Sequence, residues 1–586
     1  RAMAALARAY QHEGMSTSTI VTYREMFKMA RALPSTSGIF TADMLVPFAA
    51  AIVNEAQGLT DPVAKRGLYA EAFDAFQLVQ SPLVDKTIAQ AAARLSTQDP
   101  EIGKLIGTLQ DRQRDNDFAR VKLAYQQSLA DNERSSAAEA ELKAQIADNL
   151  ATIAATAATL SAKYPDYDNL ATPAPVNLDQ LRSSLKPKEG VLSFLVGRDQ
   201  SFAQLVTRDG AIVAAVPEGE NALREAVTSI RRTLEIQGGA INEFNLGEAN
   251  QLHDLLLAGL KLPLADIDHL VVVPAGPLSN LPFGLLVATA PGDASYAKAD
   301  WLVRTKTISY TPSLQALTSL RAAKQRQVPK KMLLAFGDPA LVGHVDKPGE
   351  VSPMAALANN CRQGGPMPAA LLSALAPLPD TARELRVVAT TLGAGPDSLF
   401  LGANATEENL RKQTLDDYRI LYFATHGLLP GEMRCQAEPG LVLTPPATVQ
   451  QSTALDGLLE SSEIAGIRLN ADLVVLSACN TAANGGRFGG GEALSGLAEA
   501  FFYAGARNLL VTHWQVPSAA TAELMPGLFT SLRASDGGSV GDALRVAQNN
   551  LIANEKTAHP FFWAAFVVIG DGLGLPVVSG PQVSNR

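Results

Sequence analysis

Residues 418–428, "YRILYFATHGL", and 472–479, "DLVVLSAC", decide how this chain is read. Each is a short apolar run bounded by polar residues, with no alternation of polar and apolar positions. Such a run suits a strand buried on both faces of a sheet, which is what a parallel sheet covered by helices produces. One run ends in His426-Gly427 and the other in Cys479. In open α/β sheets, ligands and reacting groups collect at the carboxyl ends of strands. If these two strands are neighbours, an imidazole and a thiol face each other across one cleft.

That pairing has a chemical use. A free thiol is mostly protonated at neutral pH, and a histidine beside it raises the thiolate fraction or protonates a leaving amine. Gly427 lets a backbone N–H approach a substrate carbonyl. Together with the N–H of Cys479 it makes an oxyanion hole, each donor being worth about 3 kcal/mol. The glycine-rich stretch "NTAANGGRFGGG" (480–491) follows and reads as a substrate wall or lid. The separation of His426 and Cys479 resembles the spacing of about 50 residues between histidine and cysteine in caspases. His513, in "VTHWQV", is the rival base and is read as pocket wall. His12, His253, His269 and His344 have no supporting context. No G-x-S-x-G elbow, Walker lysine, CxxC or HExxH is present, and no metal or cofactor is expected.

Outward from these runs the texture is uniform. "VLSFLV", "FAQLVT", "AIVAAV", "HLVVVP", "KMLLAF" and "NLLVTHW" are further strands. Helical segments at 221–235, 380–392 and 492–505 alternate with them. The helix near 381 has the signature of a capping box, Thr381 with Glu384. Residues 340–378 read as an insertion loop, and 561–578 as a core strand and turn.

The front of the chain differs. Leu6, Tyr10, Tyr23, Phe27 and Ala30, then Leu68, Tyr69, Phe73 and Phe76, recur at helical spacing and suggest an array of helical hairpins. Residues 101–165, rich in Ala, Leu, Gln, Asp and Lys, read as a long helical hairpin or coiled-coil stalk. "KYPDYDNLATPAPVN" (163–177) holds three prolines and ends it.

Composition bounds the function. At 586 residues the chain exceeds one core and suits about three or four domains. A hydrophobic fraction of 47% and a net charge of −9 describe globular material without a broad surface for nucleic acid or anionic lipid. No stretch is long and clean enough to span a bilayer. Three cysteines, Cys361, Cys435 and Cys479, make neither a disulfide scaffold nor a zinc module. A cytoplasmic location is expected; a Cys361–Cys435 bridge would imply export to the periplasm instead. Arg1 falls inside a helical pattern, so the absence of a signal peptide carries little weight.

The motifs together resemble the CHAT domain, a caspase-like cysteine peptidase domain related to separase and often preceded by tetratricopeptide repeats. The resemblance rests on "ATHG", "GLLESSEIAGIRLNADLVVLSACNTA", "GGGEALSGLAEAFFYAGARNLLVTHWQV" and "HPFFWAAFVVIGDG", with "HLVVVPAGPLSNLPFGLLV", "LAFGDPA", "LPDTARELRVVA" and "NATEENLRK" upstream. It covers about 190–575. It implies an α/β caspase-like C-terminal domain, a mostly parallel sheet covered by helices, behind an all-α N-terminal region. Residues 1–100 would be tetratricopeptide-like, 178–325 a degenerate caspase-like half, and 326–586 the active half. It implies a bacterial cysteine endopeptidase with His426 as base and Cys479 as nucleophile. Its partners would be a protein substrate and an activator protein bound by the helical region, with no nucleic acid bound directly. The other reading is a silent scaffold; an intact His/Cys pair argues against it. Relatives often carry an acidic residue in "W-x-V-x-D", where a basic P1 side chain pairs. Here the stretch is "HWQVPSAAT", so the pocket residues His513, Trp514, Val516, Pro517 and Ser518 suit an apolar or small P1 side chain.

Overall fold

The computed structural model describes residues 2–31, 40–79, 100–129, 134–163, 175–234, 236–237, 240–292, 294–322, 329–341, 369–372, 375–428, 438–446, 455–477, 496–514, 516–534, 538–572 and 574. Four helices open the chain: Ala2–His12, Ser16–Arg31, Ala42–Gly58 and Pro62–Phe76. The last begins where its sequence says it should. Asp61 accepts hydrogen bonds from the Val63 and Ala64 N–H groups, and Pro62 occupies the first helical position, where no N–H is needed. Tyr23, Leu45, Phe48 and Ile52 form their core. The first helix turns Ala4 and Ala7 inward and leaves Leu6 48% exposed, contrary to the expected apolar spacing. Small alanines permit close approach to the next helix, and that contact outranks the larger side chain.

Two long helices follow, Pro100–Ser128 and Ser136–Lys163. They pack as a hairpin through Ile106, Leu109 and Leu160.

The remainder contributes sixteen strands among the described residues: β1 Glu189–Val196, β2 Ser201–Thr207, β3 Gly210–Val216, β4 Ile236–Gln237, β5 Ala240–Ile241, β6 His269–Val273, β7 Thr307–Tyr310, β8 Lys331–Pro339, β9 Leu399–Gly402, β10 Tyr418–Ala424, β11 Gly427–Leu428, β12 Gly440–Val442, β13 Leu458–Glu460, β14 Leu473–Leu476, β15 Asn508–Thr512 and β16 Phe566–Gly570. Eleven of them form one sheet, ordered β3-β2-β1-β6-β7-β16-β15-β14-β10-β8-β9. Pairing is parallel except at β3–β2, β2–β1 and β16–β15. β10, β14, β15 and β16 are buried along their whole length, which is why they read as unbroken apolar runs. β7, "TISY", carries no such run, and β9, "LFLG", is only half-buried. The front helices cover one end of the sheet, where Leu195, Phe202 and Val213 join their core.

The start of β1 is held by a buried carboxylate. Glu189, 1% exposed, accepts two hydrogen bonds from Arg321, at 3.0 and 2.7 Å, and lies 3.3 Å from His269 Nδ1. Burial alone would raise its pKa, but the hydrogen bonds from His269 and Arg321 outweigh this and hold it at about 2. The native state therefore binds this proton less readily than the unfolded chain. The resulting stability is present above the ordinary carboxylate pKa and is lost as pH falls toward 2. Glu189→Gln leaves the Arg321 guanidinium buried without its anion. We expect it to lower unfolding free energy by about 3 kcal/mol, read as a lower urea midpoint at pH 7, with the difference shrinking as pH falls below 4.

Candidate active site

Four neighbouring parallel strands, β8, β10, β14 and β15, end at the same edge. In the β10–β14 register Ile420 faces Leu473 and Phe423 faces Leu476, and the Ser477 N–H continues the ladder to the Phe423 carbonyl at 3.0 Å. This places the end of the histidine strand beside the end of the strand that leads to Cys479. Cys479 and the glycine-rich stretch lie outside the described residues, as do Cys361 and Cys435.

His426 stands one residue past Thr425 at the end of β10 and is half-buried. Its Nε2 is 2.8 Å from the Ala376 carbonyl. A neutral ring that donates from Nε2 to a carbonyl keeps Nδ1 as an acceptor, so this one bond sets both tautomer and ring direction. The turn behind it is stapled to β12. The His426 carbonyl accepts the Val442 N–H at 2.9 Å, and the Thr425 hydroxyl donates to the Val442 carbonyl. Gly427 is buried and extended, the first residue of β11, opposite Leu441. Ala376 gave no signal in the sequence, because a backbone carbonyl in an irregular segment has no side-chain signature.

The expected capping box is absent. The helix Pro379–Leu392 is capped at Leu378, with Pro379 in its first turn, so Thr381 and Glu384 lie inside it. Proline's fixed φ starts the helix earlier than the Thr-x-x-Glu pattern implies. Thr381 instead accepts the Asp338 N–H at 2.8 Å, and Glu384 is buried beneath the sheet. Asp338 has φ +48°, a left-handed conformation uncommon for a residue with a side chain. It brings a carboxylate to the end of β8, next to β10, that the sequence reading did not single out. Gly337 precedes it because a Cβ there would meet Leu385 Cδ1 at 2.6 Å.

At the end of β15, His513 and Trp514 are fastened into the core. The Trp514 Nε1–H donates to the Phe561 carbonyl at 3.0 Å. Arg231, from the helix Glu220–Arg232, donates to the His513 carbonyl at 3.0 Å and lies 5.0 Å over the Trp514 ring. Val516 and Pro517 are half-buried, and Ser518 opens the helix Ser518–Ala534. Burial, with the Arg231 charge adding to it, pushes the His513 pKa down to about 3. Among the described residues its Nδ1 has no hydrogen-bond partner. Among the described residues, no group of three or more His, Cys, Asp or Glu side chains suits a metal ion.

The sequence matches the family model of the CHAT domain over residues 246–571, more than half of the chain. The chain belongs to the CHAT-domain family. This CHAT protein is 26% identical over 367 residues to Tetratricopeptide repeat protein 28 of Mus musculus, and 25% identical over the same length to the human protein. Each match covers 55% of this chain and 13% of the relative, so the chain spans a small part of the curated relatives it matches. Among solved structures it is similar to the Saccharomyces cerevisiae separase–securin complex, with TM-score 0.37 and 11% identity over 97% of this chain and 47% of that one. It is also similar to the Arg-specific cysteine proteinase gingipain R, with TM-score 0.31 and 10% identity over 61% and 76%. The CHAT protein has a mostly parallel sheet covered by helices, and the described residues of its front are all helical. Among its described residues no helix is long and apolar enough to cross a membrane.

The state of His513 has a measurable consequence. Between pH 6.5 and about 3 the unfolded chain binds a proton that the native state excludes, so stability falls as pH drops through this window. His513→Phe removes the group, and we expect its melting temperature to fall less than that of the native chain between pH 7 and pH 5. Parallel curves for the two proteins would show that His513 is not neutral in the native state.

Proposed function

We propose that this CHAT protein is a cysteine endopeptidase with His426 as base and Cys479 as nucleophile. The observation that carries the reading is the pairing of β10 with β14. Its offset (Phe423 opposite Leu476) equals the separation of His426 from Cys479. Neighbouring strand ends at one edge are the arrangement a thiol–imidazole pair requires.

In this reading the Ala376 carbonyl holds the Nε2–H, and Nδ1 takes the thiol proton. The Cys479 sulfur attacks the peptide carbonyl, and the N–H groups of Gly427 and Cys479 hold the oxyanion. His426 returns the proton to the amine as the C–N bond breaks. Water then hydrolyses the thioester and restores the thiol. Residues 178–325 serve as a support for the active half, 326–586, an assignment favoured by Arg231 gripping the turn at His513 and Trp514. The compartment is the cytoplasm, with three free thiols; a Cys361–Cys435 bridge in the intact mass would argue for export.

The helical front is the regulatory input, bound by an activator protein. Lys122, on the helix Pro100–Ser128, lies 3.3 Å from Glu438 and 3.1 Å from Glu460. These glutamates flank β12 and end β13, the two strands paired in sequence onto β11, which begins at Gly427. A displacement of the hairpin therefore reaches the proposed oxyanion donor through three short strands.

Labelling by a thiol-reactive peptide electrophile tests the central claim. We expect Cys479→Ala to abolish labelling and cleavage, and His426→Ala to lower cleavage by about 1,000-fold or more. Unchanged proteolysis in Cys479→Ala would assign the nucleophile elsewhere. Lys122→Ala is expected to slow labelling of Cys479 while the chain stays folded; labelling at the native rate would remove the hairpin from the regulatory path. A peptide library reads the P1 side chain. From 514–521, which holds no Asp or Glu, we expect no preference for Arg or Lys. A basic profile that disappears in Asp338→Asn would overturn that and assign Asp338 as the partner.

A further inference from the structure

The helix Pro379–Leu392 and the segment leading into it touch β8, β10 and the residue that follows β14. In the segment leading into Pro379–Leu392, the Ala376 carbonyl meets His426, and in its first turn Thr381 meets the backbone of Asp338 after β8. One turn later, Glu384 lies 3% exposed beneath the sheet. Its carboxyl accepts a hydrogen bond from the Tyr422 hydroxyl of β10 and is hydrogen-bonded to the Ser477 side chain at the end of β14. Tyr422 is four residues before His426, and Ser477 is two before Cys479. A capping role is excluded by the helix start at Leu378.

We propose that Glu384 is a positioning residue for the hydrolysis: its carboxyl bridges Tyr422 and Ser477 and so fixes the histidine strand end against the cysteine strand end. The inference rests on the peptidase reading. The bridge joins the two strands through the buried side chains of Glu384 and Tyr422. Phe529 of the helix Ser518–Ala534 covers Tyr422.

The bridge also titrates. Burial raises the Glu384 pKa, against the opposing pull of the Tyr422 and Ser477 hydrogen bonds, to about 7. The titratable group facing it is the Tyr422 phenol, itself held well above its ordinary value by burial and by Glu384. From β14 it meets the uncharged Ser477 hydroxyl. On β8 Asp338 meets this helix through its backbone N–H at Thr381. Near neutral pH, a negative charge therefore appears beneath the strand end that leads to Cys479. An ionised Glu384 disfavours a second negative charge on that strand end, so its titration is expected to show in the reactivity of Cys479.

The test uses the full chain and the pH dependence of Cys479 alkylation by iodoacetamide between pH 5 and pH 9, mapped by mass spectrometry. The native chain is expected to show an inflection near pH 7 in addition to that of the thiol. Glu384→Gln removes the charge, so the neutral inflection disappears. Glu384→Ala breaks the bridge and is expected to lower kcat about 100-fold with little change in KM. A purely structural role would lower the melting temperature of these variants and leave the alkylation profile unmoved. A Glu384→Gln profile superimposable on the native one, or native kcat in Glu384→Ala, overturns the proposal. Should Glu384→Ala fail to fold, Ser477→Ala carries the same test, and an unchanged profile there also overturns it. A native chain that cleaves nothing sinks the peptidase reading, and the alkylation profile still decides Glu384.

Discussion

The parallel ladder between β10 and β14 is the constraint on which the arrangement depends. Parallel neighbours need a crossover, and here the crossover carries β11, β12, β13 and the helix Ser461–Gly466 before the chain returns to β14. That excursion folds back on the histidine turn through the pairings of Gly427 with Leu441 and of Gly440 with Glu460. The connection that makes the parallel pair possible thus also builds the wall of the site. A slip of one residue in β10 would reverse the side chains of Tyr422 and Phe423. Tyr422 faces Glu384, while Phe423 packs with Phe336 and Phe501, so each face rejects the other's occupant.

The two groups of strands are not separate sheets placed side by side. β7 pairs in parallel with β16, and β16 pairs antiparallel with β15, so hydrogen bonds run without a break from β3 to β9. The same union appears in side chains. Arg231 reaches His513 and Trp514, Asp542 reaches Thr307, and His559 reaches the Asn242 carbonyl. The two groups of strands are therefore joined by side chains as well as by the ladder.

How much of this was legible depends on the kind of signal each part leaves. β10, β14 and β15 were readable because burial on both faces writes itself as a continuous apolar run. β7, "TISY", was not, because Thr307 and Ser309 hold buried polar positions whose partners, Asp542 and His269, are distant in sequence. His426 and Gly427 stood out as a strand end carrying chemistry. The atom that orients His426 did not, since a carbonyl at Ala376 resembles every other carbonyl. Glu384 was visible but misassigned: a Thr-x-x-Glu pattern has two physical uses, and the choice was made by Pro379. Arg231 lies 282 residues from His513, beyond anything that local periodicity records.

The place of β16 in the sheet carries a consequence for synthesis. Among the described residues Phe566–Gly570 is the last strand of the sheet in chain order, yet it occupies an interior position between β7 and β15. Until the ribosome has released it, both flanking strands offer open edges and the sheet exists as two unjoined pieces. The nascent chain is thus at its most chaperone-dependent just before this strand inserts.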